Sequence, residues 1–234
     1  MSTGTANPAV TITPTSKVSS IFPGDYAAAD EGSFFTSTLA ITASNAVATV
    51  SVATANANPF LAIQNQWPVG LNSFNIYPRY VKLLVTTVMS TASVVNYATA
   101  LDPLQAKLTT TGTLMGTPVN ANVGSVTLSK ALLYSGVNVA AALSAGGRQI
   151  ASGQVSGAIS VAFDEYIWHF GQPVFGGDQV GTITLVKRIT IPHPPAVIGP
   201  QTWFTMGLWG TSWAGAAAPS YQIEVGWIER PTGQ

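Results

Sequence analysis

Two carboxylates facing across a cleft can hydrolyse a glycosidic bond, and a loop of oxygen ligands can hold calcium. The densest polar and aromatic cluster in the chain is DEYIWHFGQPVFGGD, where Asp164, Glu165 and Asp178 flank Trp168 and His169. Its spacing matches no calcium loop, so the acids read as caps of turns between strands. The second histidine, His193, stands in IPHPPAVIGPQTWFTMGLW (191–209). A transition-metal site would need His-x-His or His-Glu-x-x-His spacing, and neither occurs. Pro192, Pro194 and Pro195 each fix φ and push the preceding residue towards extended conformations. His193 is therefore expected in a stiff connector that turns at Gly199-Pro200 and feeds a strand.

Nucleophilic chemistry finds no better footing. Gly210-Thr211-Ser212-Trp213-Ala214-Gly215 has one residue too many for a Gly-x-Ser-x-Gly elbow, and no histidine follows it. There is no phosphate-binding Gly-x-x-x-x-Gly-Lys loop and no Gly-x-Gly-x-x-Gly turn. The absence of cysteine excludes disulfides, thiolate metal sites and cysteine nucleophiles together. The residues predict a protein that is not an enzyme and needs no metal or cofactor.

Six tryptophans remain, at 67, 168, 203, 209, 213 and 227. Exposed aromatic rings can stack on sugars, whereas in alternating strands they more often fill a core or a subunit interface. Trp203, Trp209 and Trp227 read as core or interface. Trp67 and Trp213 lie in loops and are the carbohydrate candidates, with Trp168 a further candidate for a carbohydrate or interface contact.

The elements that must position these residues are almost all strands. Residues 1–24 form an extended Ser/Thr/Pro/Gly arm turning at Pro23-Gly24. Residues 33–42 and 46–55 alternate as a hairpin around Ala43-Ser44-Asn45. Residues 59–78 look irregular, 80–90 and 94–102 are strands, and 107–119 is a Thr/Gly loop. Residues 123–136 fit strand or helix, and 137–148 allows a helical turn. Strands follow at 148–163, 180–191, 202–210 and 220–230. In the last of these, Tyr221, Ile223, Val225 and Trp227 share an apolar face that should meet the core, with Glu224 opposite. About eight strands without a long helix predict an antiparallel β-sandwich. An immunoglobulin domain needs only about 100 residues, so residues 25–234 are expected to form one eight-stranded jelly roll with long loops.

Charge narrows the partners. Nine basic and nine acidic residues make 8% of the chain, against about 25% in an average globular domain. A formal net charge of zero, and a single base (Lys17) in the first 24 residues, argue against direct nucleic-acid contact. Gly32 to Pro78 carries no charge, yet Ser, Thr, Asn and Gln interrupt it too often for a spanning helix. The start MSTGTANPAV lacks a basic region and an apolar core, so synthesis in the cytoplasm is expected. So little self-repulsion favours association, and much of the surface is expected to meet other subunits.

In chain order, NPFLAIQN, IYPRYVKLLVTT, YATALD, RQIASGQV, IPHPPAVIGPQTWFTMGLW and SYQIEVGWIER resemble structural proteins of bacteriophage particles, over roughly residues 33 to 230. The resemblance implies a virion component of the jelly-roll capsid or decoration type. It further implies assembly with copies of itself, as a trimer or lattice, and with other capsid proteins. The missing basic arm departs from many small RNA-virus shells and favours an outer-shell or cement role; contact with a membrane is left open. A second class is a carbohydrate-binding sandwich, such as a tail-fibre or adhesin domain, resting on Trp67 and Trp213.

Overall fold

The computed structural model describes residues 10–12, 19–21, 24–38, 44–45, 59–87, 95–103, 108–139, 146–156, 163–171, 188–210 and 220–232. The expected strand 46–55, most of 180–191, residues 140–145 of the helical turn at 137–148, and Asp178 and Trp213 lie outside them. The elements are β1 (Val10–Ile12), β2 (Ser19–Ile21), α1 (Gly24–Asp30), β3 (Phe34–Thr38), β4 (Ser44–Asn45), β5 (Leu61–Asn65), β6 (Phe74–Thr87) and β7 (Val95–Asp102). They continue with β8 (Leu108–Leu114), β9 (Val119–Asn120), β10 (Ala131–Val139), β11 (Arg148–Ser156), β12 (Glu165–Phe170), β13 (Arg188–His193), β14 (Trp203–Gly210) and β15 (Ser220–Pro231).

Two sheets pack into an all-β sandwich. The seven-stranded sheet runs β13-β12-β6-β15-β3-β9, with β4 also on β15, and the six-stranded sheet runs β11-β7-β14-β5-β10-β8. Pairing is antiparallel throughout both sheets except between β12 and β13, which run parallel. β1 and β2 pair with each other in a separate two-stranded sheet.

Period-two alternation explains which faces meet. Val81, Leu83 and Val85 of β6 and Tyr221, Ile223, Val225 and Trp227 of β15 are buried in one core with Phe204, Met206 and Leu208 of β14. Aromatic contacts cross between the sheets: Trp168 of β12 meets Tyr97 of β7 edge-on at 5.5 Å, and Phe170 meets Phe204 at 5.5 Å. Each such side chain contributes roughly 1.5–3 kcal/mol by leaving water. Glu224 lies opposite and partly exposed, as the alternation requires.

Two long central strands meet at an irregularity. Gly226 pairs with Tyr80, and the register shifts before Trp227 pairs with Pro78. Proline offers no N–H to a ladder, so within a sheet it sits at a bulge or an edge; Pro78 occupies this bulge, beyond the last residue that β12 pairs with β6.

Four local readings are corrected. The irregular stretch 59–78 contains β5 and the start of β6: β5 is buried along its whole length, so it lacks the alternation that marks a half-exposed strand. The Thr/Gly loop 107–119 contains β8, recruited by pairing with β10. The end of the arm is helical from Gly24, and α1 closes at Gly32 (φ 71°), whose N–H bonds Ala29 O at 2.9 Å while Ser33 N–H bonds Ala28 O at 2.8 Å. Gly32 is the left-handed residue such a helix end requires. Finally, the start of the proline-rich connector, Ile191 to His193, belongs to a strand, β13, added parallel to the edge strand β12, while 194–202 lies outside the strands.

The registers also set which loops share an end. The end of β5, the starts of β10 and β14, and the end of β7 lie side by side, and Asn65 Nδ2 reaches Phe74 O at the start of β6. The segments 66–73, 115–130 and 194–202 therefore cluster at one end of the sandwich.

Candidate functional site

That clustered end is organised by two buried polar side chains. Asn65, fully buried, donates from Nδ2 to Phe74 O (2.8 Å) and Ile198 O (2.9 Å), and its Oδ1 accepts from Trp67 N–H (3.0 Å). It pins the end of β5 to the other sheet and to the segment before β14. Glu229, buried on β15, accepts from Trp67 Nε1 (2.7 Å), Trp227 Nε1 (3.1 Å) and the Ser129 hydroxyl. Buried carboxyl oxygens need such donors, because leaving them without hydrogen bonds costs free energy. Glu229 thus fastens the 66–73 and 115–130 segments to the same strand.

Trp67 is committed by this arrangement. Its indole N–H belongs to Glu229, Phe74 stacks on its ring at 4.4 Å, and Lys130 Nζ stands over the ring at 4.5 Å from the centroid. Trp168 is fully buried between the sheets and faces no solvent, and its indole N–H has no hydrogen-bond partner among the described residues. Trp203 and Trp227 are buried, and Trp209 is partly buried. The structure does not bring Trp67 and Trp168 into one site.

The acidic cluster also resolves into structure. Glu165 pairs with Arg188 Nε (2.7 Å) and Lys82 Nζ (3.3 Å), and Lys82 extends to Glu224 at 3.7 Å. Burial alone would raise the Glu165 carboxyl, but the hydrogen bonds and charges of Arg188 and Lys82 outweigh it and hold it below its ordinary value. It stays ionised at neutral pH, the reverse of a general acid. Asp164 is buried beside it. His169 sits on the same strand with its pKa lowered by burial, with Asp25 pulling it up and Arg79 pushing it down. Asp25 itself grips Arg79 at 2.6 Å, holding α1 on β6. Among the described residues no group of three His, Cys, Asp or Glu could hold a metal ion.

His193 has the one geometry that invites a catalytic reading. Its Nε2 lies 2.6 Å from Thr99 Oγ1 and its Nδ1 lies 2.7 Å from Pro194 O. A carbonyl only accepts, so Nδ1 carries the proton and Nε2 accepts from the threonine hydroxyl. A hydroxyl on an imidazole is the nucleophile–base pairing of covalent catalysis, but both groups are buried, with Phe170 packed on the imidazole at 4.2 Å. Neither group is open to solvent. Burial holds the imidazole below its ordinary pKa, against the Pro194 hydrogen bond, and so keeps it neutral. The pair bridges the sheets: β13 belongs to one and β7 to the other.

Asn65, Thr99 and Glu229 escaped the sequence reading. Only Glu229 left a signal there: it continues the apolar face 221, 223, 225, 227 by one further step of two, and a carboxylate on a core face demands buried donors.

Fold and site together define an all-β sandwich whose buried polar groups are structural. No protein-family model, curated protein or solved structure matches this chain. Among the described residues no helix is long and apolar enough to cross a membrane.

Proposed function

We propose that the chain is a structural subunit of a bacteriophage particle, a capsid shell or capsid decoration protein built on an eight-stranded jelly roll and acting through subunit assembly. The observation that carries the reading is the strand order. Take β3, β5, β6, β7, β11, β12, β14 and β15 as the first to eighth strands of an antiparallel ribbon. First pairs with eighth, second with seventh, third with sixth and fourth with fifth, all antiparallel. The eighth then joins the third and the seventh joins the fourth, again antiparallel, giving the four-strand cores β12-β6-β15-β3 and β11-β7-β14-β5. This order supports reading the sandwich as the double Greek key of a jelly roll, an architecture used by viral capsid and lectin domains. β8, β9 and β10 are then an insertion between the fourth and fifth strands, and β13 one between the sixth and seventh.

Between those two classes, the resemblance of the segments to phage structural proteins and the uncharged composition favour the capsid. The engagement of Trp67 by Glu229 and Phe74 weighs against one of the two rings on which a sugar-binding reading rested. The virion is the expected location, with copies of this chain and other capsid proteins as partners. Light scattering on the purified chain is expected to give a defined oligomer or lattice. A monomer at every concentration that binds a glycan array would reverse the choice.

A further inference from the structure

We propose that the end of the sandwich carrying the 66–73 turn and the 115–130 segment is the surface on which a second copy of this chain docks. The inference rests on the structural-subunit reading and deepens it by locating the contact. Val69, Leu71, Val123, Val126 and Leu128 are each 79–100% exposed, and Val119 of the same 115–130 segment is 63% exposed. Large apolar side chains gathered like this mark interaction sites on soluble proteins. The outer face of the seven-stranded sheet, by contrast, carries the Lys82, Glu165, Arg188 and Glu224 charges.

The backbone that presents these residues is braced from within. Asn120 Nδ2 donates to Gly32 O (2.9 Å), Asn122 Nδ2 to Asp30 O (3.0 Å), and Ala121 N–H to Phe34 O (2.9 Å). Asn122 Oδ1 and Ser125 Oγ accept the N–H groups of Gly124 and Thr127. A Cβ at Gly32 would lie 2.3 Å from Ser125 Oγ, so the closing glycine of α1 leaves room for the segment to seat. Ser129 is held by Glu229, and Gln66 N–H joins the two segments through Lys130 O at 3.1 Å. An ordered segment loses little further entropy on binding, which suits a contact surface better than a spacer.

Charge selects the occupant. Residues 66–73 and 115–129 contain no Asp, Glu, Lys or Arg, and the adjoining Lys130 is directed over Trp67. Nucleic acid or acidic lipid headgroups would need a basic cluster here. A two-fold contact sets a surface against its own copy, which an ionised surface resists and this one does not. The zero net charge of the chain removes long-range repulsion between copies as well.

The test compares the full wild-type chain with the triple variant Val123→Asp/Val126→Asp/Leu128→Asp, by light scattering over a dilution series, with circular dichroism to verify folding. Phe163→Asp, exposed but outside both segments, is the control. The triple variant is expected to stay folded and associate at least tenfold more weakly, with the control unchanged. Val69→Asp/Leu71→Asp is the second probe, read in the same way, should the triple variant fail to fold. A folded variant that associates as tightly as wild type overturns the docking surface while leaving assembly standing. A wild-type chain that is monomeric throughout overturns both, and wild-type monomer captured by neutral phosphatidylcholine vesicles would assign the patch to lipid instead.

Discussion

His193 illustrates how a residue that suggests chemistry is turned into structure. Its neighbours in sequence are prolines, but its neighbours in space are Thr99, Phe170 and Phe204, and burial favours its neutral form. The unfolded imidazole titrates near 6.5 and the folded one lower, as does that of His169. Above about pH 6.5 both states are neutral and the stabilisation is complete. As pH falls below that value the unfolded chain takes up protons first, so stability declines until the folded values are passed, by at most about 1.4 kcal/mol per pH unit for each histidine. Urea midpoints measured from pH 8 to pH 5 are expected to fall, and His193→Gln should make that fall shallower. An unchanged slope in the variant would show that His193 is not held neutral by the fold.

At the scale of elements, the contact between β6 and β15 depends on a missing side chain. The Tyr80 ring lies across Gly226, where a Cβ would come 2.2 Å from Tyr80 Cε1, and its hydroxyl donates to Glu224 Oε1 at 2.7 Å. An aromatic ring over a glycine on the paired strand keeps the ladder continuous where glycine alone would weaken it. Gly226→Ala is expected to cost about 1–3 kcal/mol through overpacking, measured by denaturant unfolding. Combined with Tyr80→Ala it should cost less than the sum of the two single changes, because removing the ring relieves the clash that the alanine methyl introduces. Strict additivity would mean that the ring and the glycine are energetically independent. The pairing itself was legible only in part: the alternation of 220–230 placed its faces, but nothing local in YPRYVKLLV identified the partner strand or the bulge at Pro78.

For the whole molecule, the arm and the apolar end raise the same question of what surrounds the chain. β1 and β2 join neither main sheet, and the chain is fastened to the sandwich from α1 onwards by the Asp25–Arg79 pair. Deleting residues 2–22 should therefore leave the sandwich folded, with a melting temperature within a few degrees of wild type, while association measured by light scattering weakens. Loss of folding in the truncated chain would show that the arm belongs to the core. A chain with 8% charged residues has few means of keeping copies apart, which is why the truncation is read by association.

What local sequence determined here is what depends on neighbours one or two positions away: strands from β-branched alternation, the buried face of Tyr221, Ile223, Val225 and Trp227, and the exclusion of thiolate chemistry by composition. Tertiary structure decided what depends on partners far along the chain. β5 and β8 became strands because β14 and β10 supply their hydrogen bonds, which no property of LAIQN or LTTTGTL announces. Glu229 became the anchor of one end of the sandwich through Trp67 and Ser129, respectively 162 and 100 positions away. Side-chain period is a local property of the backbone, whereas sheet order and the satisfaction of buried polar groups are settled only when distant segments meet.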